Sequence, residues 1–308
     1  MAVPDLAYVA LAVESPEHSA GFFNRELGLP RHELADEPEV PFVTVGETAL
    51  AFFRLDDPRL GGDARKGVHH VAMTAETPRE AADALGEGQI GHTSTLAGRC
   101  SVALPRSAAC GVAVRFIEPL GLPPGSSAAV TRIDHLGVAS SDNSAALDTF
   151  VTRLGCRYES RQTDSEFETV SENFTSTHYP NVFHSRHTQL RGSLNVLFIT
   201  LGDCELEFLQ DLTIDVNADE ARHDVAGNTR GDRSAIARYV HQRGAGLHHL
   251  ALKTPDIDRT LAELHAAGHR VIDHVGRPGS RRARIGFVHP SATGGVLLHF
   301  VEREELTG

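Results

Sequence analysis

Short apolar runs of strand length alternate along this chain with stretches of helical period, and the alternation occurs four times. Residues 6–13 are almost wholly apolar and read as a buried strand. Ser15 and Pro16 mark a helix start. Ala20, Phe22, Phe23 and Leu27 give that helix one apolar face, and Gly28 ends it. Two strands follow, at 41–45 and 48–54, joined at Gly46-Glu47. The unit is therefore strand, helix, strands. A second copy has a strand at 67–74, a helix from Thr77-Pro78, and strands near 100–104 and 111–118. A third has a strand at 133–139, a helix at 141–154 capped by Asp142 or Asn143 and stopped by Gly155, and strands at 193–201 and 204–210. The fourth has a strand at 246–253 and a helix opening at Thr254-Pro-Asp, with Ile257, Leu261 and Leu264 as its inner stripe and Gly268 as its stop. Its closing strands are expected at 283–289 and 295–302.

Three stretches break the rhythm. Leu120-Gly-Leu-Pro-Pro-Gly-Ser-Ser-Ala-Ala129 is rich in turn residues and reads as a linker, which predicts a first domain at 1–120, a linker at 121–130 and a second domain at 131–308. A long polar insertion at 167–189 interrupts the third unit and carries His178, Tyr179, His184 and His187. A polar segment at 211–232 leads into a short helix at 234–243.

The copies also match residue by residue. Gly67-Val-His-His-Val-Ala72 pairs with Gly246-Leu-His-His-Leu-Ala251, and Ile133-Asp-His-Leu-Gly-Val138 and Leu6-Ala-Tyr-Val-Ala-Leu11 are their relatives. Val114-Arg-Phe-Ile-Glu118 matches Leu298-His-Phe-Val-Glu302. Such repetition predicts an α+β chain of four related units paired into two domains. Strand side chains alternate faces, so only one of His248 and His249 is expected to face an interior.

Composition narrows the function. With 41 acidic and 29 basic residues the net charge is −12, which argues against a nucleic-acid surface. No apolar run is long enough for a membrane span, and the first residues lack the regions of a signal peptide, so the cytoplasm is the expected location. Cys100, Cys110, Cys156 and Cys204 form no CxxC and are expected to be reduced structural thiols. The 18 histidines raise the expectation of a metal site.

Superposing the third and fourth units puts His135 and His249 on equivalent first strands and Glu207 and His299 on last strands. A pseudo-twofold axis between these units would bring the four together. One histidine in a strand is ordinarily a core residue; agreement of all four at repeat-equivalent positions is what points to a metal. Three imidazoles and a carboxylate suit Zn²⁺, Mn²⁺, Fe²⁺, Co²⁺ or Ni²⁺. Glu205 shares the face of Glu207 and is an alternative to it. The matching positions in the first half are Tyr8, Ala51, His70 and Arg115. Ala51 offers no ligand and Arg115 repels a cation, so that half is expected to be a metal-free copy.

The segments Ile133-Asp-His-Leu-Gly-Val-Ala139, Gly244-Ala-Gly-Leu-His-His-Leu-Ala-Leu252, Arg277-Pro-Gly-Ser280, Ala283-Arg-Ile-Gly-Phe-Val-His-Pro290 and Thr293-Gly-Gly-Val-Leu-Leu298 resemble the vicinal-oxygen-chelate superfamily, most closely methylmalonyl-CoA epimerase, over roughly 131–303. The resemblance implies paired βαβββ modules forming cupped mixed sheets around one divalent ion, with ligands at His135, Glu207, His249 and His299. It departs from the epimerase at His299, which replaces a carboxylate, near Asn195, where a second catalytic glutamate would fall, and at the insertion. The expected activity is that of a metal-dependent epimerase or isomerase of a small oxygenated carbonyl compound, such as a seven-carbon cyclitol ketone, acting through an enediolate. Glu207 is the expected base, with Tyr179 or His184 as proton partner, and the insertion is expected to close over the site. A degenerate first domain before a metal domain also resembles extradiol ring-cleaving dioxygenases and hydroxyphenylpyruvate dioxygenase, so an Fe²⁺ dioxygenase is the alternative. A small-molecule-sequestering protein is a third reading. The expected partner is a small-molecule substrate, with a homodimer open to the chain.

Overall fold

A computed structural model describes residues 4–62, 64–85, 91–169, 171–185, 188–213 and 229–304. His187, and residues 214–228 of the polar segment, lie outside the described residues. The first half contains β1 (Leu6–Val13), α1 (Pro16–Arg25), β2 (Arg31–Leu34), β3 (Glu37–Val45), β4 (Thr48–Arg54), β5 (Gly67–Thr74), α2 (Pro78–Leu85), β6 (Thr93–Leu96), β7 (Arg99–Ala103) and β8 (Val114–Ile117). The second contains β9 (Arg132–Ser140), α3 (Asn143–Leu147), β10 (Arg157–Glu168), β11 (Ser171–Phe174), β12 (Val182–Ser185), β13 (Gln189–Leu201), β14 (Cys204–Thr213), α4 (Thr229–Arg243), β15 (Gly246–Lys253), α5 (Ile257–Ala266), β16 (Arg277–Pro278), β17 (Arg284–Val288) and β18 (Leu298–Glu302).

Among the described residues each half forms one 8-stranded sheet, ordered β2-β3-β4-β1-β5-β8-β7-β6 in the first and β10-β13-β14-β9-β15-β18-β17-β16 in the second. The two orders are identical strand for strand, as the repeat required. In each half two units meet at an antiparallel central pair, β1–β5 and β9–β15, while the first and last strands of each unit run parallel.

One apolar core joins both halves on the helix-bearing faces. It holds Leu11, Phe23, Phe52 and Met73 of the first half and Leu136, Phe150, Leu250 and Leu261 of the second. The helices form where caps and stripes coincide: Ser15 Oγ accepts from the His18 amide at 3.3 Å, and Asp142 Oδ1 accepts from the amides of Ser144 and Ala145 at 2.8 and 3.1 Å. The opposite, concave faces differ. In the first half aromatic side chains such as Tyr8, Phe42 and Phe53 fill the face; in the second it stays open as a cavity.

Several elements differ from the expected ones. The edge strand β2 was not expected, because Arg31-His-Glu-Leu34 is half exposed and carries no apolar alternation. The helix expected at 141–154 widens after Leu147 into a π turn over Asp148–Arg153. Strands β10 and β13 run past their counterparts up to the edges of the insertion, whose own strands, β11 and β12, form a separate two-stranded ribbon. The linker stretch is tied back to the first sheet, with Gly125 and Gly46 exchanging backbone hydrogen bonds of 2.6 and 2.9 Å and Val130 buried. No described helix is long and apolar enough to cross a membrane.

Candidate metal centre

His135 on β9, His249 on β15, His299 on β18 and Glu207 on β14 meet on the concave face of the second sheet, all of them buried. His135 Nε2 lies 3.3 Å from His249 Nε2, 3.1 Å from His299 Nε2 and 3.2 Å from a Glu207 oxygen. That oxygen is 3.5 Å from His249 Nε2. The ladder explains the convergence: Gly137 of β9 pairs with both Glu207 and His249, and Ala251 pairs with both His135 and His299.

The donors fit a divalent ion. His135 Nδ1 is 2.8 Å from Asp134 Oδ1 and donates to it, so His135 Nε2 holds one lone pair or one proton. The Nε2 atoms of His249 and His299 and a Glu207 oxygen surround that nitrogen, and its one proton or lone pair serves one of them. Ligands about 2.1 Å from a first-row ion stand about 3.0–3.4 Å apart, and the three contacts of His135 Nε2, at 3.1–3.3 Å, have that spacing. The Asp134–His135 contact is also the usual means of orienting a metal-bound imidazole. Burial alone would raise the Asp134 pKa, but His135, Arg303 and Arg281 hold it well below the usual carboxylate range. Burial pushes His249 and His299 down, which keeps their ring nitrogens available as ligands. Burial would lower His135 too, but Glu207 and Asp134 outweigh it and raise its pKa to about 9 in the metal-free protein.

Two β-bulges shape the site. Ala251 pairs with His135 while Leu252 pairs with Ile133, which leaves Asp134 as an extra residue able to turn toward His135. Leu247 pairs with Val138 while His249 pairs with Gly137, so His248 is the extra residue on β15. This corrects the expectation that His248 and His249 face opposite ways: their Nδ1 atoms are 3.1 Å apart, and His248 also lines the cavity. Simple alternation failed because a bulge inserts a residue into the period of two. The first half bulges at the same places, Ala7 and His69.

The cavity above the ligands has a volume of about 580 Å³. Phe198, Leu209, Ile236, Ile285 and Phe287 form apolar walls, and Gln162, Asp164, Asp232, Asp273 and Ser280 line it with polar groups. Helix α4 covers one side. Its Arg233 is buried and binds Glu166 of β10 at 2.9 Å, so the extended strand anchors the helix. Two arginines of the cavity, Arg281 and Arg303, are engaged by Asp134 and Glu205. Glu205 is thus an ion-pair partner, not a competitor of Glu207.

Tyr179 and His184 are not brought to the cavity. Both are exposed, Tyr179 to 76%, His184 on β12 and Tyr179 in the turn before it, and neither lines the cavity. Asn195 faces the other side of its sheet, where its Oδ1 accepts from Asn143 at 2.9 Å. Sequence reasoning overlooked Asp134 as the orienting group and Gly137, whose missing side chain leaves room for the His249 ring. The only signal for either was position: each lies within two residues of His135.

In the first half, Tyr8 Oη and His70 Nε2 are hydrogen-bonded at 3.1 Å, and Arg115 donates to Ser94 Oγ at 3.0 Å and to the Arg59 carbonyl. With Ala51, this set contributes one imidazole. Among the described residues the group of three or more His, Cys, Asp or Glu side chains whose ligand atoms all lie within 4.8 Å of one another is His135, His249 and His299, and Glu207 stands beside two of them, His135 and His249.

Two pseudo-symmetric units curling one mixed sheet into a cup lined by buried histidines define the fold class. The chain belongs to the Glyoxalase/Bleomycin resistance protein/Dioxygenase superfamily, which its residues 134–287 match. It is 24% identical over 173 residues to the uncharacterized protein YqjC of Bacillus subtilis, covering 56% of this chain and 93% of that protein. It is 26% identical over 106 residues to the mitochondrial methylmalonyl-CoA epimerase of Bos taurus, covering 34% of this chain and 50% of that one. In fold it resembles a substituted variant of 4-hydroxymandelate synthase from Streptomyces coelicolor, with a TM-score of 0.58 at 15% identity over 100% of this chain and 95% of the other.

Proposed function

We propose that the chain is a metal-dependent epimerase or isomerase of a small oxygenated carbonyl compound. The observation that carries this reading is the meeting of three imidazole Nε2 atoms and one carboxylate at a single buried point on a cavity floor. His135, Glu207, His249 and His299 would hold a divalent first-row ion, which supplies Lewis acidity toward a substrate oxygen when bound.

Glu207 is the base in this reading. Burial would raise its pKa, but His135 and His249 hold it well below the ordinary value, so it is ionised at neutral pH. The proton partner is Asp232 of α4, in place of Tyr179 and His184, because it lines the same cavity. Burial and the carboxylates of Glu207, Asp164 and Asp273 raise its pKa against the pull of Arg277, 3.8 Å away, which suits a group that passes a proton on. The likeness to methylmalonyl-CoA epimerase supports the type of reaction. The carboxylates of Asp164, Asp232 and Asp273 share the cavity wall with Arg238 and Arg277, and Arg277 lies 3.8 Å from Asp232 and 3.5 Å from Asp273, so this wall carries both signs and does not match a polyanion. It favours a neutral, hydroxylated ketone, such as a seven-carbon cyclitol ketone, whose hydroxyls can donate to these carboxylates.

Glu207→Gln tests the assignment, since the amide oxygen still binds an ion but has no basicity. On a panel of hydroxy ketones, the variant should keep its metal and lose solvent-deuterium exchange at the substrate carbon by about 10²–10⁴-fold. Exchange at the wild-type rate would reject Glu207 as base. Substrate-dependent oxygen uptake by the Fe²⁺-loaded protein would replace this reading with the dioxygenase one.

A further inference from the structure

A second cleft lies where the two halves meet, away from the metal ligands. The start of β5, the loop before β8, the end of α4 and the start of β15 line it, and its volume is about 130 Å³. Arg65, Lys66, Arg106 and Arg243 line it together with His69 and His248, and no carboxylate does. In a chain of net charge −12 this is a concentrated patch of the opposite sign. Lys66 is neutralised by Glu14 at 2.5 Å. Arg65, Arg106 and Arg243 have no carboxylate partner among the described residues, and Arg243 rests on the Tyr239 ring, 5.2 Å from its centroid. Tyr239 in turn packs edge-on against His248, with ring centroids 4.9 Å apart. A cleft of one sign between low-dielectric walls focuses its field and concentrates counter-ions.

The volume corresponds to about four waters, which suits a tetrahedral oxyanion and not a nucleotide.

We propose that this cleft is an anion site for a phosphate group, held by Arg65, Arg106 and Arg243. The site is independent of the isomerase reading, because its charge comes from arginines outside the metal cavity.

The test is calorimetric titration of the full-length, Zn²⁺-loaded protein with inorganic phosphate, against sodium chloride of equal ionic strength. Saturable binding of one phosphate per chain is expected, weakened about tenfold or more by Arg106→Ala and by Arg243→Ala, with Arg54→Ala unaffected. Glycerol phosphate is titrated beside it. Equal affinity identifies a free-oxyanion site, and tighter binding of the ester identifies a seat for the phosphoryl end of a larger molecule. Phosphate heats no different from chloride, or binding unchanged in both cleft variants while circular dichroism shows them folded, would overturn the proposal.

Discussion

Replacing Gly137 by alanine tests whether His249 holds its place because a side chain is missing opposite it. A Cβ built on Gly137 falls within the His249 ring, against Cε1, Nδ1 and Nε2, since the two residues face each other across the β9–β15 ladder. The protein can respond in two ways. The ring can swing aside, which removes one of the three imidazoles. Loss of a group that merely orients a ligand costs about 10–100-fold in metal affinity, so loss of the ligand itself should cost about 100-fold or more. Alternatively the strands can part, at an overpacking cost of about 1–3 kcal/mol. Gly137 also pairs with Glu207, so that movement displaces a second ligand. Either response weakens the metal. Chelator competition for Zn²⁺, with circular dichroism to confirm folding, should show a folded variant with affinity reduced about 100-fold or more. The first half supplies a control, because Ala10 already stands opposite His70 there. Ala10→Gly should leave zinc affinity unchanged. A folded Gly137→Ala protein with wild-type affinity would refute the reasoning.

Asp134→Asn removes the carboxylate that orients His135 and leaves Arg281 and Arg303 without part of their pairing. The same competition assay should show a loss of about 10–100-fold with one ion per chain still bound at saturation, and an unchanged affinity would mean His135 needs no orienting group. The His135 pKa of about 9 lies above that of an unfolded imidazole. In the metal-free protein its ion pairs therefore stabilise the fold fully below about pH 6.5 and lose that contribution as pH rises through about 9. Metal must displace this proton, so zinc affinity should fall about tenfold per unit as pH drops from about 9 toward 7. An affinity flat across that window would contradict the shift.

The repeat made much of this molecule legible. Strand and helix periods located α1 and α5 to their caps, and matching the units puts His135, Glu207, His249 and His299 on facing strands from the sequence alone. What the sequence hid has physical causes. Edge strands such as β2 are half exposed and carry no apolar alternation. The two bulges add residues to a period of two, so the sides of Asp134 and His248 were not readable from spacing. The histidines of the insertion drew attention because imidazoles are versatile, yet β11 and β12 project as an exposed ribbon. The chemistry on the cavity's open side comes instead from α4, whose place depends on a long-range contact between Arg233 and Glu166 that no local pattern announces.

The metal content of the purified protein, loaded with Zn²⁺ and dialysed, tests the central claim most directly. Elemental analysis should find about one ion per chain in the wild type and in His70→Ala, and far less than one in His249→Ala and His299→Ala. Full retention of zinc by both His249→Ala and His299→Ala, or its loss from His70→Ala, would contradict a metal centre built from His135, Glu207, His249 and His299.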